Sequence, residues 1–250
     1  VVRRGIEWVW NARFNDALFF FQEDSRTSLE QFLERTERIL FQEKLGSIRQ
    51  RADRIASLAM RIAEQASLSQ EEVKWCFEAG RLCKADLSTG LVSELPSLQG
   101  HVGGEYARKE KYPEVICEGI SNHYHPDYSP SNSHQLVALV VMCADQSDRL
   151  AGYLGIGEAP KGSSDPYALR KAVTMLVHAQ LGWSAPMAAI HDWIESAAEL
   201  YREQRFSIDP NAQIIERFSK ADTNRCCRRS DMTREKPFGQ RITDNLQSSF

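Results

Sequence analysis

Apolar and polar residues follow one another along this chain in the three- and four-residue steps of helices. The cleanest stripe is Leu45, Ile48, Ala52, Ile55, Ala59 and Ile62, which predicts a helix over 45–66. Upstream, 8–24 is a strongly apolar helix candidate with Arg13 and Asp16 on its polar side. Ser28 with Gln31 makes a capping box for a second helix through about Phe41. Ser69 with Glu72 opens another, with an apolar face of Val73, Cys76, Phe77 and Gly80, and Cys83-Lys84-Ala85-Asp86 is expected to close it. Pro96, Gly100 and Gly103 then dictate bends in a short segment that also carries Glu94 and Gln99. Pro113 suits the first turn of a helix holding Val115, Ile116, Ile120 and His123. After a loop at PDYSPSNS, Leu136 to Leu150 is apolar nearly all round and predicts a buried central helix.

GIGEAPKGSSDP (155–166) is the best candidate boundary between domains. Asp165-Pro166 reads as an N-cap followed by proline at the first helical position. Helices are expected through about Ala179 and from about Pro186 to Arg205, and the polar stretch from Ser219 onward reads as a poorly ordered tail. Nothing alternates with period two for long. The predicted fold class is all-α.

Composition narrows the function. In 250 residues, 42% are hydrophobic and 26% charged, as in ordinary soluble proteins. A formal net charge of −3 gives no general attraction to nucleic acid or anionic membrane, so any RNA contact needs a local patch. No apolar run reaches a membrane span of roughly 20 residues, and the start has no signal-peptide pattern. The first residue is not Met, so the chain reads as a fragment. Cys76, Cys83, Cys117 and Cys143 sit singly in apolar helical patterns, which points to a reducing, cytoplasmic compartment; Cys226 and Cys227 are adjacent and read as inert.

Asp86 at a helix end, His123 on a second helix and Asp145 on a third trace the outline of an HD-type metal phosphohydrolase. Such enzymes surround one or two metals with histidines and aspartates, and the metal lowers the pKa of a bound water. Here the slots are partly lost. Arg51 stands where the first histidine belongs, Ala85-Asp86 replaces the His-Asp pair, and Gln99 holds a later histidine slot. Arginine cannot coordinate a metal, but it can supply the missing charge by pairing with Asp86 or Asp145. Arg51, Lys84, Asp86, Gln99, His123 and Asp145 therefore read as a vestigial site, with no catalytic residue and no metal. Weaker motifs add nothing. His123 and His125 point about 200° apart on a helix, His191-Asp192 lies outside the pattern, and Gly155-Ile156-Gly157 lacks the rest of a phosphate loop.

Longer motifs carry a family resemblance. ARFNDALFFFQED, FQEKLGS, CKADLSTGLVSELPSLQG, ADQSDRLAGYLGIG and GSSDPYALRKA resemble the β subunit of bacterial glycyl-tRNA synthetase over roughly residues 5 to 175. Ile6, Trp8, Gly90 and Leu95 depart from that family's pattern. The resemblance implies the end of a preceding helical domain at 1–40 and a degenerate HD-like domain at 41–157. It further implies the start of a helical tRNA- or anticodon-binding region at 158–218, followed by the tail at 219–250. It implies a component of glycine–tRNA ligase working with a separate α subunit and tRNA(Gly), with ATP and Mg in the α subunit and no cofactor on this chain. Arg13, Arg170 and Lys171 are the candidate RNA contacts, since phosphate binding needs exposed cations. The alternative is an active HD-type metal-dependent phosphohydrolase, and a third reading is a pure interaction module.

Overall fold

Three serines set the register of the first half. In the computed structural model, which describes residues 2–183 and 189–208, Ser28, Ser47 and Ser69 each close a capping box with the residue three positions on. They open α2 (Leu29–Arg35), α3 (Ile48–Gln65) and α4 (Gln70–Leu82), after a long first helix, α1 (Val2–Asp24). Each box satisfies backbone N–H groups that a helix start leaves without partners.

Helix α2 stops short of the predicted Phe41. Thr36 turns its hydroxyl back onto Leu33 O at 2.5 Å, a 3-10 turn spans Thr36–Arg38, and the chain enters a small hairpin. Strands β1 (Leu40–Gln42) and β2 (Gly46–Ser47) pair antiparallel, and Gly46, where the chain leaves the turn, has φ 87°. The hairpin was hidden because its strands are too short to show alternation. Leu45 consequently belongs to the hairpin turn rather than to α3, although it is fully buried as its stripe position implied.

Helix α4 also ends earlier than expected. Cys83 is its C-cap, and Ala85–Ser88 forms a separate 3-10 turn. Gly80 lets α4 approach α3 closely, because a Cβ there would stand 3.1 Å from the Ala56 backbone. Short helix α5 (Gly90–Glu94) is tied to α1 by Asp24, whose carboxylate accepts the N–H groups of Gly90 at 3.0 Å and Leu91 at 2.9 Å. Then come α6 (His101–Lys109), α7 (Glu114–Asn122) and α8 (Ser133–Gly155). His123 caps the C-terminus of α7 and does not continue it.

Helix α8 is the axis of the bundle, buried almost throughout, with α3, α4, α7, α9 and α10 packed round it. Helix α9 (Leu169–Gly182) does not begin at Asp165-Pro166. Ala168 sits in the left-handed region at φ 53°, which delays the helix to Leu169. Asp165 still caps it from outside, accepting N–H bonds from Leu169 at 2.8 Å and Arg170 at 2.9 Å. Helix α10 (Ala189–Glu203) inserts Trp193, Ile194, Ala197 and Tyr201 into the same hydrophobic core as α3 and α8. The fold is all-α apart from the two-stranded hairpin. Among the described residues no helix is long and apolar enough to cross a membrane, and Cys76, Cys83, Cys117 and Cys143 are buried and unpaired. Pro186, Cys226, Cys227 and the tail from Ser219 lie outside the described residues.

Candidate functional site

Two helices contribute matched pairs of charges. Arg51 and Arg54 lie three apart on α3, Asp145 and Asp148 three apart on α8, and this spacing brings each pair onto one face. Arg51 Nη2 donates to Asp145 Oδ1 at 2.8 Å, and Arg54 Nε donates to Asp148 Oδ1 at 2.7 Å. Arg51 Nε lies 3.4 Å from Asp148 Oδ2, an ion pair without hydrogen-bond geometry. Aromatic faces complete the enclosure, with Arg51 4.1 Å from the Phe41 ring centroid and Arg54 3.8 Å from that of Tyr201.

Lys84 enters from the turn after α4. Its non-helical backbone, φ −118° and ψ 3°, turns the side chain into the core. The ammonium is within 2.8 Å of Tyr124 Oη, 3.0 Å of His123 Nε2 and 3.1 Å of Asp145 Oδ2. His123 Nδ1 lies 2.7 Å from Ile120 O, so that nitrogen carries the hydrogen and Nε2 offers its lone pair to Lys84.

Electrostatics agree with this assignment. Burial, then the Lys84 ammonium, push His123 down to about 3, so the ring is neutral. Burial alone would raise Asp145, but Lys84 and Arg51 outweigh it and hold the carboxyl far below the usual range. Burial likewise works against the charges on Lys84 and Arg51. Asp145 reverses that effect for both, with Asp148 adding to it at Arg51, and the two cations are raised.

Asp86 is not the partner of Arg51. Its Oδ2 accepts the backbone N–H groups of Gly100 at 2.6 Å and Gly103 at 3.3 Å, at the start of α6, while Oδ1 has no hydrogen-bond partner. Burial pushes its carboxyl up to about 6. Gln99 stays outside the cluster as well. It lines a polar groove of about 280 Å³ beside Tyr124, together with His101, Ser121, His125 and Lys171. Among the described residues lining this groove there is no carboxylate. Of the other proposed RNA contacts, Arg13 is exposed near Glu94 at 3.9 Å, and Arg170 donates to Gly162 O at 2.7 Å.

A metal ion does not fit these residues. The lone pairs of His123 and Asp145 that could bind one are directed at the Lys84 ammonium, and Arg51 holds the other Asp145 oxygen. Among the described residues no three His, Cys, Asp or Glu side chains gather in a metal-holding group. Sequence reasoning missed Arg54, Asp148, Tyr124 and Tyr201. The paired three-residue spacings in RADR and DQSD were the available signal for the first two.

Fold and site together define an all-α scaffold in which buried arginine and lysine side chains pair with two buried aspartates. Its ancestry is specific. A model of the family described as "Glycyl-tRNA synthetase beta subunit" matches residues 1–235. The chain is 36% identical over 216 residues to the glycine–tRNA ligase β subunit of Desulfitobacterium hafniense, covering 85% of this chain and 31% of that one. It is 41% identical over 178 residues to that of Natranaerobius thermophilus, covering 71% and 26%. With that of Trichodesmium erythraeum it shares 40% over 204 residues, covering 79% and 28%. The chain belongs to the glycyl-tRNA synthetase β-subunit family. It spans about a third of the length of the first of these relatives.

Proposed function

We propose that this chain is the helical scaffold of a glycine–tRNA ligase β subunit. It contacts tRNA(Gly) and supports assembly with the α subunit, and it performs no hydrolysis or other bond chemistry itself. Glycine activation, with its ATP and Mg, belongs to the α subunit, and the assembly works in the cytoplasm. The observation that carries the reading is the charge cluster. A water-activating metal needs open positions and deprotonated ligands, whereas here an arginine and a lysine occupy the donors. The HD-type hydrolase reading gains no support from such a site.

The groove beside Tyr124 supports the RNA reading. Lys171 offers positive charge to phosphate, the imidazoles of His101 and His125 offer hydrogen bonds, and Tyr124 borders them. Lys171→Glu in a full-length β subunit assembled with α subunit is the test. Filter binding of tRNA(Gly) is expected to weaken, with the slope of log affinity against log salt falling by about one. Glycine-dependent ATP–pyrophosphate exchange is expected to stay unchanged. Wild-type affinity and salt slope in this variant would overturn the groove as the RNA contact.

A further inference from the structure

Lys84 is more than one member of a salt-bridge cluster. All three of its N–H bonds have acceptors of different kinds: a neutral imidazole lone pair, a carboxylate oxygen and a phenol oxygen, at 3.0, 3.1 and 2.8 Å. Each acceptor is itself fixed. His123 is held by Ile120 O, and Asp145 by Arg51 and by Gln146 Nε2 at 3.2 Å. A histidine whose far nitrogen is anchored on a carbonyl is oriented as metal-binding histidines are. Lys84 is 2% exposed and the ring of Tyr124 lies 4.2 Å from its nitrogen, so the cation is enclosed rather than resting at an edge.

We propose that the end of α7 and the middle of α8 build a cation seat selective for a primary ammonium, with Lys84, from the turn after α4, as its tethered occupant. The selectivity follows from geometry. Three acceptors converge on one nitrogen, which matches the three donors of R–NH3+ and no donor set of a guanidinium or quaternary amine. A divalent metal would find only one imidazole and one carboxylate oxygen as strong ligands. The seat shares Tyr124 with the groove, but the tRNA reading is tested there through Lys171, so failure of the seat would leave that reading untouched.

Removing the tether empties the seat. Lys84→Ala deletes a group with the shape of n-propylammonium, and the full chain is expected to melt roughly 6–12 °C lower. Millimolar n-propylammonium is expected to restore part of that loss, whereas n-propanol and tetramethylammonium restore none. In Lys84→Met the thioether takes the space of the lysine stem, so n-propylammonium is expected to give no recovery there. Equal recovery by n-propanol, no recovery by n-propylammonium, or recovery by Zn2+ instead would overturn the proposal. Should Lys84→Ala not fold, the wild-type chain answers. Its 1H–15N spectrum is expected to show one slowly exchanging lysine NH3+ signal at neutral pH, and the absence of any such signal would be equally decisive against it.

Discussion

Asp86 keeps the residue type of a metal ligand and has taken a different task. Its carboxylate holds the Gly100 and Gly103 amides at the start of α6, where Gly100 adopts φ 86°. An anion at a helix start is favourable, but full burial of this one, with Oδ1 lacking a partner, is not. The balance is a carboxyl pushed up to about 6 from a reference of 3.8. Because the folded value lies above the unfolded one, the native state binds the proton more tightly. The resulting stabilisation is complete below about pH 4 and is lost as pH rises through 6, a change of about 3 kcal/mol. Asp86→Asn removes this titration. Urea unfolding from pH 4 to 7 should therefore show a flatter profile for the variant, relative to wild type, by about that amount. Parallel profiles would mean that Asp86 titrates normally.

At the scale of elements, α3 and α8 are clasped by charge as well as by apolar packing. Every member of the Arg51–Asp145 and Arg54–Asp148 pairs is buried, and the same two helices supply Ile55, Leu58 and Val141 to the hydrophobic core. Buried pairs add little net stability when made, but breaking one strands a charge. Arg51→Met leaves Asp145 with Lys84 and the Gln146 amide and weakens the field on Asp148, so a cost of about 3 kcal/mol is expected. Arg202→Met, on the exposed side of α10, should cost less than about 0.5 kcal/mol. Thermal melts of the two variants compare them directly, and equal melts would mean that the clasp is energetically idle. Only part of this clasp was legible in the sequence: the HD-type outline offered Asp86 or Asp145 as partner for Arg51, and the choice of Asp145 comes from how α3 and α8 pack. The roles of Asp86 and Lys84 were not. They depend on the turn after Leu82 and on Gly100, where local backbone angles aim single side chains and no periodicity reports them. The delayed start of α9 escaped for the same reason, since nothing in the sequence marks Ala168 as left-handed.

Over the whole molecule, the Gly- and Pro-rich stretch at 155–166 interrupts the sequence pattern without interrupting the core. Tyr201 reaches back from α10 to Asp148, donating to its Oδ2 at 3.2 Å, and lies against Gly152, where any side chain would collide with it. Gln204 accepts from Arg54 Nη1 at 2.7 Å and donates to Gln50 O at 3.1 Å. The clasp between α3 and α8 is thus closed by residues some 150 positions along the chain from Arg54. Leu169, Leu176, Trp193, Ile194 and Tyr201 are all buried against this core. Burying one such side chain contributes roughly 1.5–3 kcal/mol, and a whole domain is stable by only about 5–15 kcal/mol. Cutting the chain after residue 158 removes several of these at once, and it leaves the Arg54 guanidinium facing water without its ring and amide partners. The described part of the chain is therefore expected to unfold in one cooperative step, and the 1–158 fragment to lose its melting transition and bind a hydrophobic dye at room temperature. Circular dichroism and dye fluorescence on both chains decide it. A fragment that melts cooperatively at the temperature of the full chain would show that α9 and α10 rest on the bundle without holding it together.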